Sequence, residues 1–327
     1  MNKKATVEVQ FNWIYATIVG FTFLIIFFGV GMAIRSNAQK SMERDVAVYL
    51  DDIFTSMQGS ENTENSLDLP SIDIAFKDDC QTFNVGSQAE SIKYLPVFSP
   101  SLVKKKLVSF SLGWDIPFRA NYLLYVTSKE VAYVLVGISE DLGLPDNINK
   151  EKVASLSAFV NQNNYKVRLI FFEDPLSQSL PPSVKKMMDT DVTAIQIVKA
   201  ENKVNYFRKK GNSLVSAGTV YYADIPTMVA AIYSENPKIY ECNMEKAMTR
   251  LNLESEALLD RISIITESDI PDCIPLLNQA RGKLSEIEVE SRDTRLTSEK
   301  VTALHNIRMS LNNLNGELNI KSCPTVY

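Results

Sequence analysis

The run Phe21-Thr-Phe-Leu-Ile-Ile-Phe-Phe28 lies inside an uncharged stretch that extends over 11–34. As a helix at about 1.5 Å per residue this stretch reaches roughly 36 Å, enough to cross a ~30 Å hydrocarbon core with some tilt. Trp13 and Tyr15 stand near one end, where amphipathic rings favour the headgroup level. No second run of this kind follows in the 327 residues. The expected architecture is therefore one transmembrane helix holding a single large polar body against a bilayer. A cleaved signal peptide is the rival reading. The apolar run is longer than a signal core, however, and it passes through Gly29-Val-Gly-Met-Ala-Ile34 directly into a polar helix, which favours retention. Lys3 and Lys4 precede the span while Arg35, Lys40 and Arg44 follow it, so flanking charge casts no vote on orientation.

Composition narrows the function classes. The chain is 45% hydrophobic and 22% charged with a net charge of −5, so it can bury an ordinary core and has no basic excess for nucleic acid. The basic run Lys104-Lys-Lys106 opens an apolar strand and reads as a solvated strand edge. His305 is the sole histidine, which excludes multi-histidine metal sites and restricts any Ser-His-Asp arrangement to that one base. It falls in a helical leucine pattern and reads as a surface or packing residue.

From 35 to 58 the first helix continues, with Val46, Leu50, Ile53, Phe54 and Met57 forming an apolar stripe among charges. The polar stretch 59–70 reads as a linker. Short β runs are expected at 72–76, 82–85, 107–112, 122–127 and 131–136. Trp114, between two of them, reads as a core anchor. From there the pattern becomes α/β: a helix over 150–161, strand 167–172, a short helix over 182–188, strands 193–198, 204–208 and 216–222, then a helix over 226–233. Alternation of this kind predicts βαβ units and a partly parallel sheet over 71–235.

The last segment, 236–327, predicts three helices over 238–266, 274–290 and 297–318, each with apolar residues at three-then-four spacing. Short connections make them antiparallel neighbours. The fold class expected is thus an α/β (α+β) body with a C-terminal three-helix bundle, anchored by one N-terminal transmembrane helix.

The helix ends also order the four cysteines. Cys273 opens the second bundle helix, and the third returns Cys323 to the same end, within reach of the about 5.5 Å Cα separation of a disulfide. Cys242 lies roughly 35 Å away along the first bundle helix, which leaves it for Cys80. Two disulfides would place the body outside the cytoplasm. Four reduced buried thiols are the alternative.

The search for chemistry yields little. Acidic pairs, Glu140-Asp141 and Glu173-Asp174, follow two strands, at the ends where open α/β sheets hold ligands. Such carboxylates could bind Mg²⁺, although ending strands and capping helices is the commoner use of these residues. Asp189-Thr-Asp191 precedes a strand. The phosphate-loop, dinucleotide, nucleophile-elbow and zincin patterns are all missing, and with 12 glycines a backbone cradle for phosphate is disfavoured. No catalytic residue, metal or cofactor is assigned.

The N-terminus, Asn2-Lys-Lys-Ala-Thr-Val-Glu-Val-Gln-Phe-Asn-Trp13 running into the apolar helix, resembles the class III signal region of archaeal type IV pilin-like proteins. The resemblance implies a short basic leader within 1–10, with Glu8 as the acidic residue after the cut, although its spacing departs from the family's usual position. The pattern with Ser111-Leu-Gly-Trp-Asp-Ile-Pro-Phe-Arg119 is similar to uncharacterised single-pass surface proteins of small-genome archaea. That kinship implies a chain with its N-terminus inside and its body outside. The expected function is a membrane-anchored extracytoplasmic structural or interaction protein, pilin-like in insertion or assembly. It would contact the lipid bilayer through 11–34, and a protein partner or its own copies through the body. Two alternatives stand beside it: a membrane-tethered metal-dependent enzyme or ligand-binding domain using Glu140, Asp141, Glu173 and Asp174, and a cytoplasmic-facing adaptor.

Overall fold

The computed structural model describes residues 3–60, 63–69, 72–138, 140, 142–266 and 270–327, with side chains from Trp13 onward. The side chains of Lys3, Lys4 and Glu8, and with them the leader within 1–10, lie outside the described residues, as does Asp141. In chain order, helix α1 (Lys3–Met57) is followed by β1 (Glu64–Asp68), β2 (Ile74–Phe76), β3 (Thr82–Val85), β4 (Gln88–Ser91), β5 (Val97–Phe98), β6 (Leu102–Val103), β7 (Lys106–Trp114) and β8 (Asn121–Ser128). Next come β9 (Val131–Val136), β10 (Lys150–Val153), β11 (Lys166–Phe171), α2 (Pro182–Lys185), β12 (Val192–Val198), β13 (Lys203–Lys210) and β14 (Ser213–Tyr221). Helices α3 (Ile225–Tyr233), α4 (Pro237–Thr266), α5 (Ile274–Arg292) and α6 (Ser298–Ile320) complete the chain.

Three sheets form. The largest has the order β10-β9-β11-β12-β13-β14, parallel from β10 to β12 and antiparallel from β12 to β14. The second runs β1-β7-β8-β5, and the small third one β4-β3-β2-β6. Continuous burial along β9 and β11 reflects coverage of both sheet faces. On one face Tyr133, Ile170, Ile195 and Tyr206 meet α3, α4 and the C-terminal helices in the main core. On the other, Val167, Leu169 and Phe171 pack under Leu156, Phe159 and Val184.

Helix α1 changes environment along its length. Its apolar residues from Trp13 to Ile34 are exposed, save half-buried Val19, whereas Ala47, Leu50, Phe54 and Met57 are fully buried against the third sheet and β8. Phe54 meets Phe83 edge-on at 5.7 Å between ring centroids. Helix α1 contains a window of mean hydropathy 2.4, long and apolar enough to cross a membrane. The mixed α/β body, the long N-terminal apolar helix and the C-terminal helices match the expected fold class.

Two expectations about local structure fail. The predicted helix over 150–161 is instead the edge strand β10, paired in parallel with β9, followed by a 3₁₀ turn over Leu156–Ala158. Lys150, Glu151 and Lys152 carry helix-compatible side chains, and the open edge of β9 overrides that weak preference. The predicted linker over 59–70 contains β1, registered with β7 from Glu64 opposite Phe110 to Asp68 opposite Lys106. Its alternating burial is that of an edge strand with one face wet, which polar composition disguises.

Candidate functional site

Strand β11, Lys166-Val-Arg-Leu-Ile-Phe171, alternates two sheet faces, so Lys166, Arg168 and Ile170 share one side. Ile170 belongs to the main core, and the two cations approach the end of α3. A helix leaves its last four carbonyls without intrahelical donors. Buried Arg168 supplies two of them and the two carbonyls that follow the helix: its guanidinium donates to the oxygens of Ala231 (3.1 Å) and Ile232 (3.2 Å), and of Ser234 (2.6 Å) and Glu235 (3.2 Å). It lies 5.2 Å from the centroid of the Tyr206 ring. Burial pulls its pKa down, and the Tyr206, Tyr133 and Glu235 fields push back.

Lys166 pairs with Glu235 at 2.6 Å, and the other Glu235 oxygen accepts from the Ser101 amide, also at 2.6 Å. Burial alone would raise Glu235, but the Lys166 charge and the Ser101 hydrogen bonds overcome it and hold the carboxyl below the usual range. The α3–α4 junction is thereby tied to the amino end of the parallel strands.

Above this pair opens a cleft of about 1030 Å³. Its walls are the amino ends of β11 and β12, the carboxyl end of β13 and the first turn of α4. Arg208, Lys210 and Lys238 are exposed on its rim, with Lys104 and Tyr165 opposite. Lys104 reaches Asp73 at 3.5 Å and lies 5.9 Å from the Tyr165 ring centroid. Burial pushes the Tyr165 phenol up to about 12. One wall is braced by Lys209, whose ammonium donates to the Met187 oxygen (2.7 Å) and to Asp189 (2.8 Å). Asp189 also accepts from the Gly211 amide at 3.0 Å, and these two partners hold its carboxyl below the usual range.

The acidic strand ends named from sequence lie at the opposite end of the sheet. Glu140 forms an ion pair with Lys199, whose ammonium also lies 4.9 Å from the Phe172 ring centroid. Asp174 accepts from the Leu176 amide at 2.9 Å and caps the turn Pro175–Ser177, while Glu173 is exposed. Among the described residues no group of three carboxylates, thiols or histidines is placed to hold a metal. His305 packs through Nε2 on the Ala223 oxygen at 2.7 Å, and Trp114 is fully buried. The four cysteines stand as two pairs at disulfide distance, Cys80 with Cys242 (Cα separation 6.2 Å) and Cys273 with Cys323 (5.7 Å).

No known family model matches the chain, and comparison with curated proteins and with solved structures finds no significant match. The cleft lies at the amino ends of the parallel strands, not at the carboxyl ends that carry the acidic pairs. The signal was present in β11, where Lys166 and Arg168 interrupt one face of an otherwise apolar strand. Their partners, 231–235, are remote in sequence, so the signal could not be interpreted without the fold.

Proposed function

We propose that this chain is a single-pass membrane protein that holds its body on the extracytoplasmic side and works by contact, with a protein partner or with copies of itself. The observation carrying this reading is the continuity of α1. One unbroken helix is exposed and apolar from Trp13 to Ile34, and it is buried in the body at Leu50, Phe54 and Met57. A body joined to its span by a helix without a hinge is presented at a set height and angle, as a contact surface requires. Residues 35–41 separate the two regimes, a rise of roughly 10 Å. The two cysteine pairs support an oxidising compartment. The class III signal resemblance of the N-terminus supports the same orientation and a pilin-like route of insertion.

The test is digestion of the protein from native membranes without reductant, with linked peptides identified by mass. Linkage of Cys80 to Cys242 and of Cys273 to Cys323 is expected. Four free thiols would overturn the extracytoplasmic placement and leave a cytoplasmic-facing adaptor in its stead.

A further inference from the structure

The chain carries a net charge of −5, yet the lining of the cleft at the amino ends of β11 and β12 holds six cations against four carboxylates, Asp78, Asp189, Asp191 and Glu235. Lys166 and Lys209 are committed to Glu235 and Asp189, and Lys104 is within reach of Asp73. Arg208, Lys210 and Lys238 are different. All three are exposed on the cleft, and among the described residues none has an acidic partner. Arg208 and Lys210 are two apart on β13, so their side chains leave the same face about 7 Å apart. Lys238 faces them from the first turn of α4, with Pro237 packed beside Gly218 of β14. With Asp189 and Glu235 already paired and Asp78 and Asp191 facing three cations, the cleft keeps a positive excess, and low-dielectric walls strengthen its field. The amino terminus of α4 adds positive potential of the same sign.

We propose that this cleft binds a small multivalent anion, a ligand bearing two or more phosphate or carboxylate groups, through Arg208, Lys210 and Lys238. The fork of Arg208 suits a bidentate grip on one oxyanion, and the two ammonium groups suit a second. The volume of about 1030 Å³ is at the upper end of small-ligand sites, large enough for such a molecule with an organic body. Tyr165 and Met188 provide apolar wall for that body, and Met188 is 68% exposed. The inference is independent of which side of the membrane the body occupies.

Isothermal titration of the full chain in a nonionic detergent, with tripolyphosphate and separately with citrate, tests the site. Saturable one-site binding of at least one of the two is expected, weakening as salt is raised. Whichever anion saturates identifies phosphate or carboxylate as the recognised group. The double substitution Arg208→Gln/Lys238→Gln should weaken binding roughly tenfold or more without moving the melting midpoint of the unliganded protein. Lys210→Gln, at the solvent-exposed end of the hairpin, should weaken it several-fold. The proposal is overturned if neither anion binds saturably up to about 5 mM, or if the substituted chains bind as tightly as the parent.

Discussion

The carboxylate of Glu43 on α1 closes the turn at Ser87: one oxygen accepts from both the Ser87 amide (2.9 Å) and its hydroxyl (2.6 Å). Gln39, one helical turn earlier, donates to the other oxygen at 3.0 Å. Glu43 is only 4% exposed although it lies close to where α1 leaves its apolar segment. The β3–β4 turn is shaped to receive it, with Gly86 at φ +56° and its missing Cβ replaced by the carboxylate itself. This contact fixes the body to the helix just beyond the candidate span.

The Ser87 hydroxyl, then the Ser87 amide, hold Glu43 below the usual glutamate range. A depressed carboxyl stabilises the folded state at pH above its unfolded value, and that contribution fades as pH falls through the folded value. Glu43→Gln should therefore melt lower than the parent at neutral pH, by about 1–3 kcal/mol. The gap should close as pH drops below the ordinary glutamate range. A gap independent of pH would assign the effect to packing.

Lys166 and Glu235 form a pair in which both side chains are largely buried. Lys166→Met strands the Glu235 charge and should cost about 3–5 kcal/mol. The double change Lys166→Met/Glu235→Gln should recover most of it, which denaturant unfolding of the two variants can read directly.

Buried tyrosines fill the main core, and their hydroxyls differ. Tyr206 donates to the Ala231 oxygen at 2.9 Å, whereas the Tyr233 hydroxyl is buried without a partner among the described residues. Tyr233→Phe is expected to leave stability unchanged or raise it by about 1 kcal/mol, and Tyr206→Phe to lower it by a similar amount. Opposite signs in thermal unfolding are the check.

Arg168→Met removes the guanidinium donors from the carbonyls of Ile232, Ser234 and Glu235 at and just beyond the end of α3, while Ala231 keeps the Tyr206 hydroxyl. Amides from 232 to 236 should then exchange with deuterium faster than those of β9 and β12, by a factor reflecting a local loss of about 3 kcal/mol or more. Uniform acceleration across the sheet would instead point to global destabilisation.

The elements with strong local periodicity were legible in sequence. The apolar segment 11–34, the stripe through Leu50, Phe54 and Met57, and the helices beginning at Pro237, Ile274 and Ser298 all declare themselves through residues a few positions apart. Helix ends also carry distance information, and antiparallel α5 and α6 set Cys273 and Cys323 at the same end of the bundle. Two short segments are not legible in sequence because their partners are remote. Residues 150–153 take their conformation from β9, and 64–68 take theirs from β7.

The site was much less legible. The acidic pairs after β9 and β11 stand at the end of a parallel sheet that ligands favour, yet Glu140 is engaged by Lys199, 59 positions away, and Asp174 by its own turn. The amphipathic pattern and the uncharged run determine one long helix, an α/β body and three C-terminal helices, because periodicity and hydropathy act within a few turns of chain. Which cations meet a carboxylate and which stay bare was decided only by tertiary structure. Lys166 meets Glu235 across 69 residues, and Arg208, Lys210 and Lys238 share one rim because β13 and α4 converge beside the same sheet edge. Electrostatic partnership depends on distance in space, and only the folded chain sets that distance.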